Sequence, residues 1–203
     1  MLKLHGRTRS NYYNAVKAVL IEKEIPFEEV IEPVPPTEAF LKLSPMAKIP
    51  CLETPQGALS ETMVILDYLE ATHPENPLCP TDPYERAKLH ELMKNMELYI
   101  EWAARRGYGT LRGEEVSQAD KDGLKKALEQ STVAVSQLTS FTPWVAGDTF
   151  TYADIFGYFM MIYAKISAQA NADMDLLGAM PGASNWFERM KARPSVQKTR
   201  EES

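Results

Sequence analysis

The sequence predicts a small α/β domain with a mixed four-stranded sheet, followed by an all-helical domain. In the first part of the chain, short runs with the two-residue alternation of strands are interspersed with runs whose apolar residues recur every three or four positions. Residues 73–83 contain four prolines and cannot be helical. Only the helical spacing recurs beyond them. We therefore expect one domain over residues 1–75, a linker over 76–83 and a second domain over 84–203.

The first domain is predicted to run in the order βαβ, α, ββα. Residues 2–5 are expected to form a strand, and a loop leads from it into a helix that ends before Ile25-Pro26. Residues 27–31 alternate as a strand, and residues 38–43 form a short helix after a proline-rich loop. A βαβ unit makes its strands parallel, whereas the hairpin that follows adds antiparallel neighbours. This arrangement is thioredoxin-like.

The second domain is predicted to contain four principal helices. Three of them are expected over residues 84–106, 118–138 and 183–193, the last ending before Pro194. The remaining helix starts at the sequence Thr151-Tyr152-Ala153-Asp154, which has the hydroxyl and carboxylate spacing of a capping box. The many apolar residues after this start predict that this helix is buried at the centre of the domain.

Composition narrows the class of protein. The net charge of -6 argues against nucleic acid as a partner, because binding phosphate requires a basic surface. No run approaches 18 uncharged apolar residues, and the start of the chain reads as a strand rather than a signal peptide, so we expect no membrane association and a cytoplasmic location. Two cysteines and three histidines lie scattered through the chain, without the spacing of metal ligands. We expect neither a metal site nor a disulfide.

Residues 45–62 carry the strongest local signal. Pro50 precedes a short β-type run, and an X-Pro bond is the one peptide bond for which the cis form costs little. A cis bond there would turn the backbone N–H and C=O of Ile49 towards an extended ligand. Glu61 and Thr62 stand where the following helix begins, and helix N-termini bind carboxylates. The alternative is an ordinary hairpin followed by a capped helix.

The chain as a whole resembles the cytosolic glutathione transferases of the serine type. The resemblance covers nearly all of it and rests on short motifs that occur in the order of that family. They are Phe40-Leu41-Lys42-Leu43-Ser44-Pro45, Ile49-Pro50, Leu59-Ser60-Glu61-Thr62 with Ile65-Leu66-Asp67-Tyr68-Leu69, Phe150-Thr151-Tyr152-Ala153-Asp154, and Trp186-Phe187-Glu188-Arg189-Met190-Lys191-Ala192-Arg193-Pro194. The resemblance implies a transferase that uses glutathione as co-substrate, acts in detoxification and forms a homodimer.

The resemblance also assigns glutathione contacts to the residues 48–62. It implies that Ile49, before the cis Pro50, pairs by its backbone with the cysteinyl part of glutathione. It implies that Thr62 and the helix terminus hold the γ-glutamyl carboxylate, that Glu61 faces the ammonium group, and that Lys48 contacts the ligand backbone. Prolines occupy the place where some branches hold the glycyl carboxylate, so Lys48 or Lys42 is the candidate for that contact.

Activation of the glutathione thiol is expected at the loop before the first helix. A thiol with a pKa of ~8.5 is only slightly ionised at neutral pH, and a hydroxyl donor near a helix N-terminus favours the thiolate. Ser10 stands four residues after Gly6 and six before Val16, as the catalytic serine does in the family. Ser10 as a mere N-cap, and Tyr12 or Tyr13 as the thiol activator, stay open as alternatives. The loop has no cysteine, unlike the cysteine-type relatives.

The resemblance implies that an apolar electrophile binds between the two domains, over the first part of the first long helix of the second domain and over its end. Aromatic and basic residues occur at the end of that helix, and two tyrosines occur in the first helix of the chain. The family resemblance makes these residues candidates for the electrophile pocket. The alternative for Tyr99 and Trp102 is a place in the core. The candidates are Tyr12, Tyr13, Tyr99, Trp102, Arg106 and Tyr108. A glutathione-dependent peroxidase or isomerase, and a non-catalytic glutathione-binding or protein-interaction module, are the alternative functions.

Overall fold

The structure is a computed structural model that describes residues 1–201 of the 203-residue chain. The chain forms two compact units. Unit 1 comprises Met1–Leu78 together with the segment from Ala192 onward, and unit 2 comprises Cys79–Lys191. The expected division assigned the C-terminal segment to the helical domain. In the structure that segment belongs instead to the α/β unit.

Unit 1 is built on the mixed four-stranded sheet that the sequence predicts. Its strands are β1 (Leu2–Gly6), β2 (Phe27–Ile31), β3 (Cys51–Thr54) and β4 (Gly57–Ser60), in the spatial order β2-β1-β3-β4. β1 pairs parallel to β2 and antiparallel to β3, and β4 pairs antiparallel to β3. The parallel pair follows from the helical crossover between β1 and β2, and the antiparallel pair from the tight turn between β3 and β4.

Four helices complete unit 1. They are α1 (Asn11–Glu22), α2 (Glu38–Leu43), α3 (Thr62–Thr72) and α9 (Pro194–Glu201). The helix α9 was not predicted, because Pro194 was read as a stop. Proline has no N–H to lose in the first turn of a helix, so it starts α9 as readily as it ends the helix before it. Val196 of α9 is fully buried, and Arg193 pairs with Glu22 at the end of α1.

A buried ion pair fixes the chain where unit 1 ends. The Lys23 ammonium lies 2.8 Å from the Glu70 carboxylate and also donates to the Asn76 carbonyl at 2.7 Å. Glu70 in turn accepts from the backbone N–H of Leu78 at 3.0 Å. Each charge is therefore compensated by its partner and by the backbone, as burial requires. The first residues of the predicted linker are held by this network.

Unit 2 is helical, but its first helix differs from the prediction. A single helix was expected over residues 84–106; the structure has α4 (Pro83–Asn95), a π-helical segment (Met96–Glu101), the short α5 (Trp102–Ala104) and a 3₁₀ segment (Arg105–Arg112). The widened turn begins at Met96, which packs on Gly157: a Cβ at Gly157 would lie 2.9 Å from the Met96 sulfur. The remaining helices of the unit are α6 (Gln118–Leu138), α7 (Tyr152–Ala172) and α8 (Ala183–Lys191).

The predicted capping box at the start of α7 is confirmed. Its carboxylate also accepts hydrogen bonds from residues outside the box. Asp154 has no exposed surface; it accepts from the backbone N–H of Thr151 at 2.9 Å, from that of Val145 at 2.8 Å and from the Trp186 indole at 2.9 Å. Burial raises the pKa of Asp154, and these hydrogen bonds offset part of the rise. One carboxylate thus joins α7, the loop before it and α8.

None of the helices described in residues 1–201 has the length and apolar character needed to cross a bilayer.

Candidate functional site

The strand register of unit 1 brings three loops to one end of the sheet. His5 of β1 is paired with Cys51 of β3, and Cys51 is paired with Ser60 of β4. The loop after β1, the residues before β3 and the residues after β4 therefore emerge together. These segments contain Ser10, the Ile49-Pro50 pair and the Glu61-Thr62 pair, so the residues that the sequence singled out for glutathione converge in space.

Ser10 is the N-cap of α1. Its backbone is extended, with φ -84° and ψ 120°, its N–H donates to the Arg7 carbonyl at 2.9 Å, and its Oγ accepts from the N–H of Tyr13 at 3.3 Å. Capping therefore uses an oxygen lone pair and leaves the hydroxyl proton to donate elsewhere. Within residues 1–201 that proton has no acceptor. The capping role and a donor role, which the sequence posed as alternatives, are compatible.

The loop in front of Ser10 is held on several sides. A Cβ on Gly6 would lie 2.0 Å from the Tyr13 ring, so only glycine permits this approach. The side chain of Arg7 donates to the carbonyls of Glu32 at 3.0 Å and Pro33 at 2.9 Å. Ser10 is thus presented by a loop anchored to α1 and to the chain after β2.

Tyr13 does not line a pocket, contrary to the sequence-based expectation. Its side chain has no exposed surface, and its hydroxyl donates to Glu29, which also pairs with Lys17 at 2.8 Å. Burial raises the pKa of Glu29, but the hydrogen bonds from Lys17 and Tyr13 outweigh it and the net change is a decrease. Tyr13 is therefore a core residue of unit 1, whereas Tyr12, on another face of α1, is half-buried.

The Ile49-Pro50 peptide bond is cis, as the resemblance implies. Pro50 is buried and Ile49 half-buried. In the part of the chain that the structure describes, the backbone N–H and C=O of Ile49 have no hydrogen-bond partner. Unpaired backbone groups beside a sheet form a template for an extended peptide.

Ser44 fixes the chain just before Ile49, a role that sequence reasoning missed. Its buried hydroxyl donates to the Lys48 carbonyl at 2.8 Å and accepts from the Lys48 N–H at 3.1 Å. The Lys48 side chain itself is exposed. Buried hydroxyls are hydrogen-bonded, but the burial of Ser44 is visible only in the structure, so the sequence carried no signal for this contact.

Glu61 and Thr62 form the start of α3. Glu61 has φ 70° and ψ 119°, a conformation that costs a non-glycine residue ~1–3 kcal/mol and is concentrated at functional sites. Its carboxylate is exposed and has no partner within residues 1–201, whereas Thr62 is buried. The first N–H groups of a helix lack intrahelical acceptors and carry partial positive charge. This terminus can therefore hold a carboxylate, with the Glu61 carboxylate beside it for a cation.

A partly buried charge network joins β1, β3 and the residue after β2. Both ring nitrogens of His5 face carboxylates, at 2.8 Å from Glu32 and 3.1 Å from Glu53. Hydrogen bonds from Lys3 and His5 lower the pKa of Glu53. Burial, together with Glu32 and Glu53, raises the pKa of the Cys51 thiol to about 11. Among the residues described, no three His, Cys, Asp or Glu side chains are grouped so as to hold a metal ion.

We expect Cys51 to resist alkylation in the native protein. With a pKa of about 11, on the order of one thiol in 10,000 is ionised at pH 7, and only the thiolate is nucleophilic. In a Cys79→Ala variant, iodoacetamide labelling followed by mass spectrometry reports on Cys51 alone. The denatured chain is the control and should label fully. Labelling of the native variant at the rate of a free thiol would contradict the prediction.

The candidate electrophile residues of unit 2 form a surface group around Arg105. Tyr99 and Trp102 are 56% and 57% exposed, which excludes the core interpretation. The Arg105 guanidinium lies 5.8 Å from the Trp102 ring centroid and 5.7 Å from that of Tyr108. It is held by Glu101, which is fully buried, at 2.8 Å.

Arg106, which the sequence favoured, points elsewhere. Its guanidinium approaches α6, where a Cβ at Gly123 would lie 3.2 Å from it. Arg105 rather than Arg106 therefore joins the aromatic group. Neighbouring arginines on a helix face different directions, and the sequence did not show which one the aromatic rings would flank.

Comparison with known proteins decides the family. Family models described as the N-terminal and C-terminal domains of glutathione S-transferase match residues 4–77 and 112–202. A glutathione S-transferase of Pseudomonas putida is 40% identical over 197 residues, which cover 97% of this chain and 90% of that protein. The chain belongs to the glutathione S-transferase family. The resemblance to the cytosolic glutathione transferases that the short motifs indicated is confirmed.

Solved glutathione transferases share the fold. Glutathione transferase F2 of Populus trichocarpa superposes with a TM-score of 0.85 at 19% identity, covering 100% of this chain and 98% of that one. A glutathione transferase homologue of Sulfitobacter, crystallised with bound glutathione, superposes with a TM-score of 0.77 at 22% identity and the same coverage. The thioredoxin-like sheet of unit 1 and the helices of unit 2 therefore share the fold of these structures.

Proposed function

We propose that this glutathione transferase binds glutathione on unit 1, ionises its thiol through Ser10 and adds the thiolate to an apolar electrophile. The observation that carries the proposal is the Ser10 hydroxyl, which caps α1 as an acceptor and still has a proton to donate. A donor at the N-terminus of a 12-residue helix stabilises a negative charge twice, by hydrogen bonding and by the helix dipole.

The other residues at the same end of the sheet supply binding. The unpaired backbone of Ile49 is proposed to pair with the cysteinyl residue of glutathione, in the manner of an added strand. The start of α3 at Thr62 takes the γ-glutamyl carboxylate, and Glu61 takes the ammonium group. Lys48, exposed beside Ile49, is proposed to contact the remaining carboxylate.

The chemical step follows from this placement. Binding releases the thiol proton to solvent, and the thiolate then attacks the electrophilic carbon. With an aryl halide, the sulfur adds to the ring carbon and forms the C–S bond; the C–halogen bond then breaks, and halide leaves with the bonding electron pair. Ser10 donates to the sulfur throughout and is neither consumed nor deprotonated. Its contribution is positioned electrostatic stabilisation of the nucleophile.

We propose that the electrophile is recognised by aromatic side chains of unit 2, namely Tyr99, Trp102 and Tyr108. Exposed rings favour a flat apolar molecule, and Arg105 favours one with some negative charge. A homodimer, a cytoplasmic location and a role in detoxification are proposed on the family resemblance. Light scattering at several concentrations tests the dimer.

The proposal is tested by the ultraviolet absorbance of the thiolate in the complex with glutathione, followed as a function of pH. We expect the pKa of the bound thiol to fall below about 7.5, the range of thiols at helix N-termini. Turnover is then measured with a chlorodinitroaryl substrate and with an organic hydroperoxide. Binding without a thiolate signal would identify a non-catalytic module, and a much larger kcat/KM for the hydroperoxide would identify a peroxidase.

A further inference from the structure

Asn14 ties the Ser10 loop to α1 with two hydrogen bonds. It lies one turn after Ser10, and only 9% of it is exposed. Its side-chain Nδ2 donates to the Thr8 carbonyl at 2.7 Å, and its backbone N–H donates to the Ser10 carbonyl at 2.9 Å. A single residue therefore contacts the middle and the end of the loop that presents the proposed catalytic hydroxyl.

The side chain of Asn14 makes this contact at a cost in stability. Its Oδ1 is buried, and in the described part of the chain no donor reaches it. A buried acceptor without a partner is unfavourable, and this cost offsets part of the stabilisation from the hydrogen bond to Thr8. The direct effect of the amide is to hold the Thr8 carbonyl in place.

We propose that Asn14 is a positioning residue that sets the direction of the Ser10 hydroxyl by holding the Thr8 carbonyl. Thr8 lies between Arg7, whose carbonyl accepts from the Ser10 N–H, and Ser10 itself. Freeing Thr8 loosens the segment that fixes Ser10 from its N-terminal side, while the cap bond to Tyr13 holds only its oxygen. This inference rests on the proposed function of Ser10.

The test is Asn14→Leu, which keeps the size of the side chain and removes the donor. Because a misplacement of about 1 Å costs up to ~100-fold in rate, we expect kcat with the chlorodinitroaryl substrate to fall by about 10-fold or more. The pKa of bound glutathione should rise by about one unit, which is the same tenfold effect. KM for glutathione should stay within about threefold, since Ile49, Glu61 and Thr62 are untouched.

Two further variants separate positioning from folding. Asn14→Asp keeps the shape but places a carboxylate oxygen against the Thr8 carbonyl, so it should lower kcat at least as much as Asn14→Leu. It replaces Asn14→Leu as the test if that variant does not fold. Val19→Ala is the matched control: it removes buried methyl groups from the same helix, five residues further on. It should lower the melting temperature without moving the pKa of the bound thiol.

A double-mutant cycle decides the case. If Asn14 acts through Ser10, Asn14→Leu should cost almost nothing further in a Ser10→Ala background, because the interaction has already been removed. An undiminished loss of kcat in that background would overturn the inference and leave Asn14 a structural residue. If Ser10→Ala alone had no effect, the proposed role of Ser10 would fail instead. The two failures are thus distinguishable.

Discussion

Asp154→Ala should destabilise the protein more than any other single substitution considered for this chain. The variant leaves three buried donors without an acceptor: the N–H groups of Val145 and Thr151 and the Trp186 indole. Each such group costs ~1–3 kcal/mol, and we expect a combined loss of roughly 3–5 kcal/mol. For a chain of this size the loss lowers Tm by about 10 °C or more, measured by calorimetry or circular dichroism.

The matched control is Asp148→Ala. Asp148 is an exposed aspartate six residues earlier, so its removal should change stability by less than about 0.5 kcal/mol. Thr151→Ala should fall between the two at ~1 kcal/mol, because it removes only the hydroxyl side of the capping box. Equal melting temperatures for the two aspartate variants would show that the Asp154 network contributes no stability.

Because the pKa of Asp154 is raised, its contribution to folding stability decreases as pH rises. The folded protein holds a proton at Asp154 at pH values where the unfolded chain, with an ordinary value near 3.8, has lost it. Stability due to this group therefore falls as pH rises from about 4 through the raised pKa, because the folded state binds more protons than the unfolded one. Asp154→Asn removes this dependence, so the advantage of the native residue over asparagine should shrink across that interval.

The sequence predicted those parts of the fold whose ends carry local signals. The strand β2 and the helices α2 and α6 have the predicted bounds, since Pro26, Thr37 and Ser117 mark where each begins. The π-helical segment was missed because its apolar spacing continues that of α4. Its position coincides with the contact between Met96 and Gly157, which are far apart in the sequence.

The candidate site shows the same division between local and tertiary information. The cis bond before Pro50 and the helix start at Thr62 follow from local chemistry. Local chemistry does not determine which of two adjacent side chains faces the core. Tyr13 is buried because its ring packs on Gly6 and its hydroxyl bonds to Glu29. Asn14 and Ser44 act by hydrogen-bonding to backbone atoms. A single polar residue in an apolar pattern predicts neither contact.

Ser10→Ala should lower kcat/KM for the chlorodinitroaryl substrate by roughly 10- to 100-fold. A hydrogen bond to a charged group contributes ~1.5–3 kcal/mol, and removal of the Ser10 donor forfeits that stabilisation of the thiolate. The same free energy corresponds to a rise of about one to two units in the pKa of bound glutathione. Both quantities are measured on the same variant, by steady-state kinetics and by the thiolate absorbance.

Loss of the cap must be separated from loss of the donor, since alanine removes both. Ser10→Asp separates them: aspartate is a strong N-cap, but its carboxylate cannot donate and repels a thiolate. It should keep Tm near that of the native protein and lose at least as much activity as alanine. Ser10→Thr keeps both functions and should retain most of the activity. If Ser10→Asp were fully active, the hydroxyl would be only a cap, and Tyr12 would become the remaining candidate for the thiol donor.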